Sequence, residues 1–229
     1  MKSLNVMHKS LNSYWFFFGL FYGTVVMCSE AAVQSQSIDT VLIRDADFKI
    51  VYAQGLEQPL YVEYDVKCPN SGASRSGLGF YGTKTLITSN HDDYAHNVYD
   101  KGHCIPAASF DCNDWLLKKT FSYLNCVLQH EKLNRTTWKY LEEYERDLAL
   151  KESVHVRIVI EFKAISRLPS NAAVPSGFFK ELITKKRREC FYFPNSPPLS
   201  KNYQDFRCDC STVPIWLKTV PTINFNRLE

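Results

Sequence analysis

Asp100-Lys101-Gly102-His103 is the stretch on which the reading of this chain turns. It sets a histidine beside a glycine that lets the backbone turn tightly, with Asp100 in reach to orient the ring or anchor the loop. An imidazole has the unperturbed pKa suited to taking a proton from water near neutral pH. A lone histidine is more often structural, so the reading depends on its company. Downstream, Asn134, Glu142 and Arg146 supply an amide, a carboxylate and a guanidinium. At about 100° per residue, Glu142 and Arg146 lie one turn apart on the flank of an apolar stripe, and Asn134 stands at the helix entrance. By themselves they read as a surface i,i+4 pair and a capping residue. Joined to His103, they form a group able to hold a hydrated cation and a phosphate, which points to metal-dependent cutting of nucleic acid.

Outward from these residues, the patterning is that of an α+β fold. Val41-Leu42-Ile43, Phe48-Lys49-Ile50-Val51-Tyr52 and the alternating Leu60-Tyr61-Val62-Glu63-Tyr64-Asp65-Val66 predict strands. Pro69 to Gly79 is rich in Gly, Ser and Asn and predicts a loop; His91 to Tyr99 is polar and irregular. Trp138, Leu141, Tyr144 and Leu148 follow a three-to-four spacing, which predicts an amphipathic helix over Thr136 to Leu150. Val154 to Phe162, Phe178 to Ile183 and Cys190 to Phe193 predict further strands, and no internal repeat is evident.

The 229 residues suit one domain with a sizeable core, preceded by a separate N-terminal unit. In Met1 to Ala32, Lys2 and Lys9 precede the apolar run Tyr14 to Met27, and small residues follow. That order predicts a signal peptide, with cleavage after Ala31, or else an uncleaved membrane anchor. The run falls short of the about 20 apolar residues of a spanning helix. The expected domain is 40–220, located in a secreted or endomembrane lumen, with membrane anchoring or a mitochondrial destination as alternatives. A membrane partner arises only if the N-terminal unit is retained. A net charge of +3 permits a polyanionic partner without demanding one. Eight cysteines, one of them Cys28 near the cleavage point, favour disulfides, with pairing left open. There is no Cys-x-x-Cys, and Cys208-Asp209-Cys210 is too tightly spaced for a zinc knuckle. Lys185-Lys186-Arg187-Arg188 reads as a solvated face, a phosphate-tracking patch or a nuclear signal, and His91 and His96 as exposed loop residues.

The order of motifs resembles the DNA/RNA non-specific endonuclease family, the ββα-metal or His-Me-finger nucleases of endonuclease G type. The family's Asp-Arg-Gly-His is similar to Asp100-Lys101-Gly102-His103, and its Asn-x-x-x-Gln to Asn125-Cys126-Val127-Leu128-Gln129. Its Leu-Asn-x-x-x-Trp-x-x-Leu-Glu-x-x-x-Arg is similar to Leu133 through Arg146. A Val-Pro-x-x-Phe-Lys element is similar to Val174-Pro175-Ser176-Gly177-Phe178-Phe179-Lys180, and the likeness runs from about Phe48 to Leu217.

The resemblance implies a central, mainly antiparallel sheet flanked by helices, and an endonuclease cutting DNA and RNA with little sequence selectivity. His103 would be the general base, and Asn134 the one protein ligand of a hydrated Mg²⁺, with Mn²⁺ as a substitute. Glu142 would hold a water of the ion's shell, Arg146 would stabilise charge on the phosphorane, and Asn125 would support the site beside Asp100. The ion would offset charge on the leaving 3′-oxygen and give 5′-phosphate ends. Lys101 stands where the family has arginine, and Lys49 is the nearest counterpart of an arginine on an early family strand; both are expected to touch substrate. Asn134-Arg135-Thr136 is also an N-glycosylation sequon. Two other outcomes fit the same pattern: a catalytically weak, disulfide-stabilised binding homologue, or a phosphodiesterase for small substrates. No stable protein partner is implied, and a homodimer is compatible with everything above.

Overall fold

Alternating apolar residues in both halves of the chain build a seven-stranded sheet in the computed structural model, which describes residues 39–69, 72–214 and 222–228. All of these fall in the unit Ser37–Glu229. The N-terminal segment Met1 to Ala32, with Cys28, lies outside the described residues. Among the described residues no helix is long and apolar enough to cross a membrane.

The sheet contains β1 (Thr40–Arg44), β2 (Phe48–Ala53), β3 (Gln58–Asp65), β6 (His155–Glu161), β9 (Gly177–Ile183), β10 (Arg188–Pro194) and β11 (Thr222–Asn224). Its order is β10-β9-β6-β3-β2-β1-β11. Neighbours are antiparallel, except that β11 joins β1 in parallel. Two smaller ribbons pair β4 (Tyr99–His103) with β5 (Cys126–His130), and β7 (Ser166–Arg167) with β8 (Ala173–Val174). The mixed sheet, flanking helix and mostly antiparallel pairing bear out the α+β, ββα-metal reading.

One face of the sheet carries the main core. Phe48, Ile50, Tyr52, Val62, Tyr64, Val156 and Ile158 project into it, and Val127, Leu133, Trp138, Leu141 and Leu148 close it from above. The odd-numbered partners on β2 and β3, Val51 and Tyr61 among them, belong to smaller clusters on the opposite face. Lys49 and Glu63 share that opposite face by the period of two. They are register partners across β2 and β3 and form an ion pair.

Asp100 to His103 is a strand, where the sequence predicts a glycine turn. Gly102 serves a different purpose there. A Cβ at this position would stand 2.6 Å from Cβ and 2.5 Å from Oε1 of Gln129, on the paired strand β5. Gly102→Ala is therefore expected to force the ribbon apart and destabilise the fold by about 1–3 kcal/mol, as overpacked sites do. Urea denaturation reads this directly; an unchanged midpoint would mean that Gln129 swings aside at no cost.

Among the described residues two disulfides close the fold, Cys68–Cys112 and Cys190–Cys210. The first ties the end of β3 to the long connection between β4 and β5. Cys104 and Cys126 are buried free thiols, and Cys208 is half-buried and free.

Candidate active site

The ribbon and the helix that follows it bring the motif residues together. His103 ends β4 opposite Cys126, which begins β5. At the far end of β5 the chain enters a helix directly, with His130 Nδ1 accepting from the Lys132 amide at 3.2 Å as the cap. This helix starts earlier than its apolar periodicity suggests. It consists of α2 (Glu131–Leu133), a π turn over Asn134–Trp138, and α3 (Lys139–Ala149); the ribbon's connection also holds α1 (Asp114–Thr120). Within the π turn, Thr136 Oγ1 donates to the Lys132 carbonyl and Thr137 Oγ1 to the Ser200 carbonyl at 2.8 Å. A hydroxyl bonded four residues back, as that of Thr136 is, competes with the helix ladder for the carbonyl.

The π turn has a geometric consequence. In an uninterrupted α-helix, Glu142 would lie about 80° round from Asn134. The extra residue taken up by the turn brings the two to within about 20°. Asn134, Arg135, Lys139, Glu142 and Arg146 consequently line one cleft of about 450 Å³, together with His103, Pro106, Ala107, Ala108 and Arg75. Four of those side chains are cationic and one is a carboxylate, so the cleft is basic although the chain is only mildly so.

His103 packs between Phe80 and Phe121, with ring centroids 5.0 and 5.2 Å away. Its Nε2 is buried without a hydrogen-bond partner. Burial, and secondarily the charge of Arg75, lowers its pKa to about 4, so the ring is neutral at pH 7. The backbone after His103 is clamped by Asn125, which is buried. Its Oδ1 accepts from the Ile105 amide at 2.8 Å, and its Nδ2 donates to the carbonyls of Ile105 and Thr120 at 3.0 and 2.9 Å.

Asp100 joins the ribbon to the helix. It accepts from Asn134 Nδ2 at 2.9 Å and from Nε and Nη2 of Arg135 at 2.9 and 2.7 Å. The Asn134 amide is thereby fixed with its Nδ2 occupied, which leaves Oδ1 as its available donor to a cation. Glu142 Oε1 accepts from the Trp138 indole at 2.8 Å. Burial pushes Glu142 up to about 7, against the opposing charges of Lys180 and Arg146. Glu142 and Arg146 form no ion pair with each other, and Arg146 meets no carboxylate within 4.0 Å among the described residues. The surface-pair reading of these two residues therefore finds no bond to support it.

A pH dependence follows. With its folded pKa raised above the ordinary carboxylate value, Glu142 contributes stability that is complete below about pH 4.5 and is lost as pH rises through about 7. Glu142→Gln cannot titrate. In the absence of divalent metal, its stability relative to wild type is expected to improve by about 3 kcal/mol between pH 4.5 and pH 8. Urea titrations of both proteins at the two pH values test this; a pH-independent difference would remove the buried-acid account.

Not every residue singled out from the sequence reaches the cleft. Lys49 stays with Glu63 on the opposite face of the sheet and does not line it. Lys101 points to Phe80, Tyr94 and His91, with its Nζ 5.6 and 5.5 Å from the two rings and 3.4 Å from His91 Nδ1. Arg75, Arg135 and Lys139 line the cleft without having been singled out. Arg135 and Lys139 were accessible from helix position, whereas Arg75 sits in a Gly/Ser loop that carries no periodic signal.

Residues 30–214 match the family model described as DNA/RNA non-specific endonuclease. The chain belongs to this family. Curated relatives include Nuclease 1, mitochondrial, of Schizosaccharomyces pombe, 29% identical over 129 residues, and the mitochondrial nuclease of Saccharomyces cerevisiae, 31% identical over 133. Each match covers 46% of this chain and 40% of the relative. Nuclease EXOG, mitochondrial, of Danio rerio is 25% identical over 135 residues, covering 49% of this chain and 38% of the relative. The matched part thus spans about two fifths of these relatives' length. Among solved structures, the crystal structure of the EndoG/EndoGI complex superposes with a TM-score of 0.66 at 18% identity, covering 75% of this chain and 81% of that one. That likeness is one of fold.

Proposed function

We propose that this chain is a divalent-metal-dependent endonuclease that hydrolyses phosphodiester bonds in DNA and RNA with little sequence selectivity. The observation that carries the proposal is the convergence of a neutral His103, the fixed amide of Asn134, Glu142 and Arg146 on one basic cleft. Arg75, Arg135 and Lys139 give the cleft its affinity for phosphates, and phosphate contacts read no bases. His103, held between two phenylalanines, takes the proton of the attacking water. Arg146 faces the charge that builds on the phosphorus oxygens, where a preorganised guanidinium is most effective.

The donor set suits a hydrated Mg²⁺, or Mn²⁺ in its place. Among the described residues no cluster of three or more His, Cys, Asp or Glu could hold a metal. A single amide oxygen from Asn134, with Glu142 accepting from the ion's waters, matches a cation that keeps most of its shell. When bound, the cation neutralises charge on the leaving 3′-oxygen. Asp100 keeps the Asn134 amide turned for this task, and Asn125 holds the chain behind His103. The Asn134 side chain is half-buried against Asp100, so the sequon it begins is engaged by the folded site.

The domain proposed for this activity is 40–220, preceded by the N-terminal targeting unit. The named relatives are mitochondrial proteins, which favours a mitochondrial destination, while two disulfides suit any oxidising compartment. The decisive experiment incubates the purified protein with supercoiled plasmid and with RNA, in Mg²⁺ and in EDTA. Nicking of both polymers in Mg²⁺ alone is expected. Cutting that survives the chelator sinks the mechanism, and no cutting of either polymer leaves a binding homologue.

A further inference from the structure

Lys180 closes the Val174–Lys180 element and does not line the cleft. Its side chain, on β9, is wholly buried beneath the cleft helix. The ammonium lies 2.7 Å from Glu145 Oε2, a carboxylate equally buried. Glu145 Oε1 accepts from the Tyr64 hydroxyl at 2.8 Å and, at 3.4 Å, from Ser109 Oγ. The same ammonium stands 4.8 Å from the centre of the Trp138 ring, close enough for a cation–π contact. Trp138 in turn donates its indole N–H to Glu142. A continuous line of contacts therefore leads from the sheet, through Lys180 and Trp138, to the carboxylate in the cleft.

Fold stability is a poor reason for such a pair. Two charges withdrawn from water recover little net energy, and apolar replacements of a buried pair are often neutral or stabilising. We propose that Lys180 and Glu145 are a positioning pair for the cleft, holding the Glu142 carboxylate in place through Trp138. The inference rests on the reading of Glu142 as a working group of the nuclease site.

The charges around Glu142 support this. Burial raises its pKa, and among the neighbouring charges Lys180 opposes that rise most, ahead of Arg146 on the same helix. Glu145 acts in the other direction. Tyr64 of β3 and the Cys104 thiol also face the carboxylate. Removing both charges takes away more lowering from Lys180 than raising from Glu145. Glu142 would then hold its proton to higher pH and cease to orient water around a cation at neutrality.

The test uses the full chain carrying Lys180→Met with Glu145→Gln, which removes both charges and keeps an acceptor for Tyr64. Trp138→Phe accompanies it, keeping an aromatic face for Lys180 while losing the N–H that reaches Glu142. For the double variant we expect a melting temperature within a few degrees of wild type, kcat at pH 7 about tenfold lower, and the acid limb of the kcat profile about one pH unit higher. Trp138→Phe is expected to lower kcat in the same direction. A double variant with wild-type kcat and pH profile overturns the proposal. So does one that cannot fold, because the pair would then serve stability alone. His103→Ala run alongside separates the two levels: if that variant cuts at the wild-type rate, the nuclease reading fails irrespective of Lys180.

Discussion

His103→Ala is expected to lower kcat for plasmid cleavage by about 10²–10⁴-fold, the usual share of a general base. The melting temperature should stay within a few degrees of wild type. The imidazole makes no hydrogen bond with its buried Nε2, so alanine leaves no polar group stranded. What is lost for folding is ring packing against Phe80 and Phe121. The neutral ring is fully available at pH 7, because burial and then Arg75 hold its pKa near 4. The folding side has its own signature. A histidine whose folded pKa is lowered contributes stability present above about pH 6.5 and lost as pH falls through about 4. The alanine variant should therefore lose less stability than wild type on acidification across that window. Initial nicking rates and thermal melts from pH 4 to 8 measure both effects, and a variant with near-wild-type rates would remove His103 from the chemistry.

The sheet was legible because its strands obey the simplest rule. Phe48, Ile50 and Tyr52, like Val62 and Tyr64, alternate into one core, and a period of two is visible without any tertiary knowledge. The cleft was legible for a different reason. His103, Asn134, Glu142 and Arg146 stand in the order and spacing of the motifs they resemble, and the structure places all four around one cavity. Spacing alone, however, left Asn134 and Glu142 about 80° apart. The π turn that aligns them carries hydroxyls bonded to Lys132 and Ser200, and the Ser200 contact joins residues far apart in the chain.

Other features failed to register for equally physical reasons. Gly102 looked like a turn residue because glycine is commonest there; the actual constraint is a side chain on another strand, Gln129. Arg75 had no periodicity around it to mark it out. Lys49 looked like a substrate contact because a free lysine on an early strand cannot be told from a paired one until its partner, Glu63, is found across the sheet. Lys180 was visible as part of a motif, but its role depends on Glu145 and Trp138, which only the packing of helix on sheet brings to it. Cysteine pairing was likewise closed to the sequence, since Cys68 and Cys112 meet only through the long β4–β5 connection.

Asn134→Ala is the second large effect, an expected fall in kcat of about 10²–10³-fold, equivalent to several kcal/mol of lost charge stabilisation. Asn134 is not the helix cap, because His130 occupies that position, so the about 1 kcal/mol cost of losing a cap should not appear. Arg135 continues to hold Asp100 after the substitution. Apo stability should thus be close to wild type. The readout that identifies a metal ligand is therefore thermal: Mg²⁺ bound only by the folded state raises the melting temperature of the wild type, and the variant should lose that rise. Asn134→Asp sharpens the point. It supplies an oxygen ligand but replaces the N–H donated to Asp100 by a second carboxylate 2.9 Å away. Two carboxylates at that distance repel unless a proton or a cation lies between them. The aspartate variant should accordingly be destabilised without metal and regain stability as Mg²⁺ is added, while the alanine variant does neither. Parallel melts of the three proteins against Mg²⁺ distinguish these cases, and an alanine variant stabilised by Mg²⁺ as strongly as wild type would place the ion elsewhere.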